Sequence, residues 1–276
     1  MSKPKIAIQG ITTSFHDLAA KKHFGEGMET VPCLSFKELC EAVKTGRTDN
    51  AVMAIENTLA GSLLPNYNLI SEYHLKIIGE VFVHIQMNLM ALPDVKLEDI
   101  KCVQSHPIAI QQCAEFLWGL NGIEIRERED TAICAKEIKE KNLVDTAAIA
   151  NEAAAKLYGL RILEKRIETY KQNFTRFLVL SRSSVQNEKN NKASLCLQLG
   201  HYEGSLAEML IIFKENSINL TKIQSVPIMG KPYEYSFHVD LEWTDYNDYE
   251  KALQTVLKKA SNVSVLGEYQ KGEFSY

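Results

Sequence analysis

The residues able to do chemistry sit where polar side chains interrupt apolar runs. Asn173-Phe174-Thr175-Arg176-Phe177 heads the run Phe177-Leu178-Val179-Leu180, which reads as a buried strand. An amide, a hydroxyl and a guanidinium in such a place need partners. Arg176 offers a planar fork suited to a carboxylate, with the Thr175 hydroxyl beside it. The ordinary alternative is a strand-end Arg paired with a surface Glu. Three further junctions shift the balance. Glu56-Asn57-Thr58 closes the strand Ala51-Val52-Met53-Ala54-Ile55. Ser105-His106-Pro107 follows Ile100-Lys101-Cys102-Val103, with Ser105 placed to cap the next helix. Asp130-Thr131-Ala132 follows Ile123-Glu124-Ile125, where Asp130 or Thr131 is the cap. A lone His106 could merely satisfy a turn, and Glu56 could pair with a Lys. Together the four stretches suggest one anion-binding cleft at the ends of open-sheet strands, served by helix N-termini.

The elements that must position these residues belong to an α/β chain. Its 276 residues favour two domains, and 45% hydrophobic with 24% charged residues suits a packed core. A net charge of -4 with no basic block argues against a nucleic-acid partner. No stretch is apolar enough to suggest a membrane partner; Glu80, His84 and Gln86 interrupt the run from Leu75 to Leu92. Six scattered cysteines without a CxxC suit a reducing compartment, and the N-terminus enters a strand directly, so a cytoplasmic location is expected. No HExxH, dinucleotide glycine pattern or P-loop occurs, so neither metal nor cofactor is expected.

Through residue 182 short apolar runs alternate with helical periodicity. Ile6-Ala7-Ile8 is a strand ending at Gly10, followed by a helix from Thr13-Ser14. Ser35-Phe36-Lys37-Glu38 reads as a capping box. Ala147-Ala148-Ile149-Ala150 leads to a helix from Glu152 to Tyr158, stopped by Gly159. Residues 183–192 turn polar and read as a linker. Beyond them the rhythm becomes βαββαβ, a ferredoxin-like unit. Its strands carry Leu195, Leu197 and Leu199, then Ile218 to Val226, then alternating Tyr233, Tyr235, Phe237, Val239 and Leu241, then Val263 and Val265. Its exposed strands invite self-association.

These motifs, in this order, resemble the prephenate dehydratases with a C-terminal ACT regulatory domain. Asn173-Phe174-Thr175-Arg176-Phe177 resembles the family's N-x-T-R-F, Ile55-Glu56-Asn57-Thr58-Leu59-Ala60-Gly61 its I-E-N-S-x-x-G, and Ser105-His106-Pro107 through Gln112-Cys113 its S-H-P-x-A-x-x-Q-C. Thr131-Ala132, Ala147 to Ala150 and Tyr158-Gly159-Leu160 follow suit. There are departures. The loop Gln9 to Phe15 has Thr13 near the family's second glycine, Ala54 replaces a proline, and Gln224-Ser225-Val226-Pro227 departs from E-S-R-P.

The resemblance implies a catalytic domain over 1–182, built as two periplasmic-binding-protein-like lobes, and an ACT domain over 193–276. It implies prephenate as substrate, fragmented to phenylpyruvate. Thr175, His106 and Glu56 would act in catalysis, and Arg176, Asn57, Ser105, Thr131, Asn173 and Phe177 would bind substrate. L-Phenylalanine would act as effector at Gly204, Ser205, Leu206, Gln224 and Ser225, and a homodimer or homotetramer is expected. The proton for the leaving hydroxyl is assigned to His106 or to a water held by Glu56 and Asn57. An arogenate-preferring enzyme and a non-catalytic sensor of aromatic metabolites are the alternatives.

Overall fold

The computed structural model describes residues 3–184, 187–228, 230–231 and 233–274. The expected linker therefore falls partly outside the described residues, at Val185 and Gln186. In chain order the first elements are β1 (Lys5–Gln9), α1 (Phe15–Phe24), β2 (Glu29–Cys33), α2 (Phe36–Lys44), β3 (Asn50–Asn57), β4 (Gly61–Ser62), α3 (Leu64–Glu72) and β5 (Lys76–His84). Then come β6 (Asn88–Ala91), β7 (Cys102–Ser105), α4 (Pro107–Gln112), α5 (Ala114–Trp118), β8 (Glu124–Glu127), α6 (Thr131–Lys141), β9 (Thr146–Ala150), α7 (Glu152–Tyr158), β10 (Arg161–Glu164) and β11 (Phe174–Ser181). The chain ends with β12 (Lys192–Gln198), α8 (Ser205–Glu215), β13 (Asn219–Pro227), β14 (Tyr235–Glu242), α9 (Tyr246–Lys259) and β15 (Asn262–Tyr269).

One sheet runs in the order β2-β1-β3-β11-β5, with β4 paired to β3, and a second runs β10-β6-β9-β7-β8. β1 lies parallel to both β2 and β3, and β7 parallel to both β8 and β9. Such strands are covered on both faces, which is why Ile6-Ala7-Ile8 and Ala147-Ala148-Ile149-Ala150 are apolar and buried throughout. The chain packs as two compact units. One holds the described residues of 1–63, 81–177 and 274–276; the other holds those of 64–80 and 178–273.

Local signals explain most helix ends. The Ser35 hydroxyl accepts from the Glu38 N–H at 3.2 Å, whereas the Glu38 carboxylate accepts from Leu34 rather than from Ser35, so only half of the expected capping box forms. Gly159 adopts φ 64° after α7, a left-handed conformation that glycine takes without strain. The Asp130 carboxylate caps α6 by accepting from Ala132 and Ile133. Two expectations need correction. Ser105 does not cap a helix: its hydroxyl donates to the Ile149 carbonyl at 2.7 Å inside the second sheet, and His106 caps α4 instead. Glu56 does not close the strand, because β3 continues through it to end at Asn57, and β4 pairs against both.

The second unit contains the expected βαββαβ succession. Its antiparallel sheet has the order β13-β14-β12-β15, a ferredoxin-like arrangement. Leu195, Leu197, Met209, Phe213, Val239 and Leu241 form its core with Trp243 and Tyr249. Val239 and Leu241 are thus interior, which leaves Tyr233 and Tyr235 as the exposed end of that alternation. Lys192, read as the end of a polar linker, is buried at the start of β12. Its ammonium is 3.0 Å from Glu80 and 3.2 Å from Glu242, and Glu80 also accepts the Gly272 N–H at 3.0 Å. Removing the cation would leave buried carboxylate charge unpaired. Lys192→Ala is expected to lower the unfolding free energy by about 3 kcal/mol, read from the urea midpoint by circular dichroism. A midpoint equal to the parent's would show that the ion pair is structurally idle.

Candidate active site

The first unit holds an open cavity of ≈ 350 Å³ walled by strands of the first sheet and by α4, α6 and the loops before them. Strand alternation decides which residues of β11 reach it. Thr175 and Phe177, two residues apart, line the cavity, and Arg176 between them does not. The Arg176 side chain is 7% exposed, with Nη1 at 4.0 Å from Glu56 Oε2, and the Glu56 side chain is 38% exposed and also absent from the wall. The expected meeting of the Arg176 fork with a ligand in this cavity is therefore not what the structure places there. Asn57, His106 and Thr131 do line it, whereas Ser105 and Asn173 are fully buried outside its surface.

The position of Thr175 follows from an amide network. Asn57 Nδ2 donates to Asn173 Oδ1 at 2.7 Å, to Thr175 Oγ1 at 3.0 Å and to the Phe174 carbonyl at 3.2 Å. Its Oδ1 accepts from the N–H groups of Leu59 and Ala60, both at 2.9 Å, which fixes which end of the amide is which. Asn173 Nδ2 in turn donates to Gln112 Oε1 at 2.9 Å, and Gln112 lines the cavity. Because Thr175 accepts from Asn57, its own O–H is left to donate, and no described residue takes it. A hydroxyl held by its oxygen and open at its hydrogen is a directed donor toward whatever fills the cavity.

Histidines add two more directed donors. His106 Nδ1 accepts the Ile108 N–H at 3.2 Å, so the neutral ring carries its proton on Nε2. Burial lowers the His106 pKa, against the opposing pull of Asp130 and Glu127. His16, at the start of α1, also lines the cavity. Burial pushes its pKa down to about 3. Neither sequence spacing nor any motif drew attention to His16, and Gln112, the Gln of the S-H-P-x-A-x-x-Q-C stretch, was given no role; the fold is what carries both to the wall. Asp130 also reaches the wall, with its pKa raised by burial and lowered again by the two amides it caps. A Cβ on Gly10 would stand 2.7 Å from Asp130 Oδ2, and Gly10 has φ +92°, so both space and backbone require glycine there. Nearby Thr13 keeps a left-handed backbone at φ 71°, where a glycine would be unstrained. Its N–H is bound by Asp17 and its carbonyl by Asn151, which hold that conformation.

Among the described residues no group of His, Cys, Asp and Glu is placed to hold a metal ion, and no helix is long and apolar enough to cross a membrane. Around the expected effector residues, Gly204 precedes α8 with φ 84° and Ser205 opens the helix. Ser205 lines a cavity of only ≈ 10 Å³, with neither Gln224 nor Ser225 in its wall. That volume suits about one water. The low pKa of His16 has a consequence for stability. The folded state refuses a proton that the unfolded chain accepts below 6.5, so stability is full above that value and falls as pH drops toward 3. Urea midpoints should fall between pH 6.5 and 4, more steeply in the parent than in His16→Gln; equal slopes would remove His16 as a cause.

Known proteins share both the sequence and this architecture. The profile of the prephenate dehydratase family matches residues 6–185. Arogenate dehydratase/prephenate dehydratase 2 of Arabidopsis thaliana, a chloroplastic protein, is 38% identical over 280 residues, covering 97% of this chain and 73% of that one. The structure of a prephenate dehydratase from Arthrobacter aurescens in complex with L-Phe superposes with a TM-score of 0.85 at 26% identity, over 96% of this chain and 89% of that one. GqqA, a quorum-quenching acylase, superposes with a TM-score of 0.87 at 28% identity, over 97% of this chain and 98% of that one. An α/β fold carrying an open threonine hydroxyl on an N-x-T-R-F strand agrees with the sequence match, and the chain belongs to the prephenate dehydratase family of carbon–oxygen lyases.

Proposed function

We propose that this chain converts prephenate to phenylpyruvate in the cavity of the first unit, with Thr175 at the reacting centre. The observation that carries this reading is the Thr175 hydroxyl, whose oxygen is held by Asn57 and whose hydrogen faces the cavity unclaimed among the described residues. In the reaction the bond from the ring to its carboxylate breaks and releases carbon dioxide. The electron pair enters the ring, the carbon–oxygen bond opposite breaks, and the departing hydroxide takes a proton to become water. Aromatisation drives the fragmentation. The protein has to orient the acid and stabilise charge growing on the leaving oxygen. Thr175 donates a hydrogen bond there rather than a net proton, because a threonine hydroxyl is far too weak an acid.

The supporting roles divide by position. Asn57, Asn173 and Gln112 hold Thr175, while His106 and Thr131 face the ligand from the starts of α4 and α6 and Phe177 packs on the ring. Glu56 and Arg176 act from behind the wall as a pair, and Ser105 fixes β7 to β9. A net proton then comes from solvent, since His106 with its lowered pKa is neutral near pH 7. The chain is assigned a catalytic region over 1–182 and an ACT-type regulatory region over 193–276, with L-phenylalanine as effector near Gly204. Because the cavity at Ser205 is ≈ 10 Å³, an effector there needs a wall from a second copy, consistent with a homodimer or homotetramer. Six free thiols suit the cytoplasm.

Purified protein should generate phenylpyruvate from prephenate, followed by ultraviolet absorbance, with arogenate assayed in parallel and phenylalanine lowering the rate. Thr175→Val should reduce kcat by about a hundredfold or more while the fold is kept. A Thr175→Val enzyme with parental kcat would remove Thr175 from the reaction, and turnover of arogenate alone would reassign the substrate.

A further inference from the structure

His16 is 8% exposed and sits in the cavity wall, yet none of the roles above falls to it. A buried histidine is most often a satisfied core residue. Here one ring nitrogen is satisfied and the other is not. Nε2 accepts the Ala54 N–H at 3.3 Å, so the proton of the neutral ring must be on Nδ1. No hydrogen bond to Nδ1 occurs among the described residues, and Nδ1 is not one of the sealed, unpartnered polar atoms of the interior. It therefore opens onto the cavity that His16 lines. The ring cannot easily turn away. It packs edge-on against Phe177 at 5.0 Å and tilted against Phe36 at 5.5 Å, in addition to the bond from Ala54.

The charge around the cavity says what such a donor is for. Among the described residues no Lys or Arg lines the cavity, while Glu129 and Asp130 do. A doubly anionic acid cannot be held here by net charge, so it needs N–H and O–H groups aimed at its oxygens. A neutral donor also suits a carboxylate that must lose its charge as carbon dioxide. A cation would stabilise that carboxylate most in the ground state, before the bond breaks, and so slow its departure. We propose that the Nδ1–H of His16 donates a hydrogen bond to a carboxylate of the substrate, anchoring it opposite Thr175 without adding charge to the site. This rests on the dehydratase reading above.

Two substitutions separate the two nitrogens. In His16→Asn the shorter side chain cannot reach Ala54 but places an amide N–H where Nδ1 now stands. His16→Gln reaches Ala54 with its carbonyl oxygen and abandons the Nδ1 position. On prephenate, His16→Gln should keep the parental melting temperature and raise KM by about tenfold, the loss of one hydrogen bond to a charged group. His16→Asn should melt lower and keep KM within about threefold of the parent. The reverse pattern, parental KM in His16→Gln with KM raised only where stability falls, would make His16 a structural residue and overturn the proposal. A parent inert on both prephenate and arogenate would remove the dehydratase reading and this proposal with it. An active parent whose two variants share its KM removes only the proposal.

Discussion

The side-chain amide of Asn57 is the interaction on which the candidate site depends. It joins residues 116 positions apart, binding the end of β3 to Asn173 and Thr175 at the head of β11. Without it the Thr175 hydroxyl could rotate to accept from cavity water or donate to a neighbouring carbonyl. With it, the oxygen is committed and the hydrogen is aimed. Preorganisation of this kind costs nothing at the moment of reaction, because the donor is already oriented when charge develops on the leaving oxygen. Gln112 extends the network to α4, so two strands of the first sheet and a helix set the direction of one hydroxyl.

The electrostatics follow the same logic of fixed neutral dipoles. His106 and His16 each have one ring nitrogen occupied by a backbone N–H, and burial lowers both pKa values. Each presents a single N–H of known tautomer. Arg176, the one guanidinium in the motif, is withdrawn beside Glu56. On the proposed reaction, a cavity arranged this way would bind an acid through directed hydrogen bonds and keep full positive charge away from a carboxylate that has to depart as a neutral gas.

Much of the fold was legible in the sequence for local reasons. Ser35, Asp130 and Gly159 are helix-end residues whose chemistry works within one turn, and the alternation of Leu195 and Leu197 needs only the pleat of one strand. The strands β5 and β6 were not separated within the apolar stretch from Leu75 to Leu92: β6 is buried at every position and has no alternation, and that of β5 is broken by the buried Gly79-Glu80-Val81. The α3 helix escaped for lack of a cap or clear periodicity. At the site, Thr175 was identified, but Arg176 was assigned to the same ligand although adjacent residues on a strand point to opposite faces; that signal was available. His16 carried none, since its contact is with a residue 38 positions away, and Gln112 stood in the S-H-P-x-A-x-x-Q-C stretch without a role because its partner Asn173 lies 61 positions away.

The central claim is that Asn57 acts through Thr175. A double-mutant cycle on kcat for prephenate, with Asn57→Ala, Thr175→Val and the pair, tests it most directly. Coupling predicts that Asn57→Ala costs little once the Thr175 hydroxyl is gone, so the double variant is scarcely slower than Thr175→Val alone. Losses that multiply independently would contradict the account, because the two residues would then serve the reaction separately.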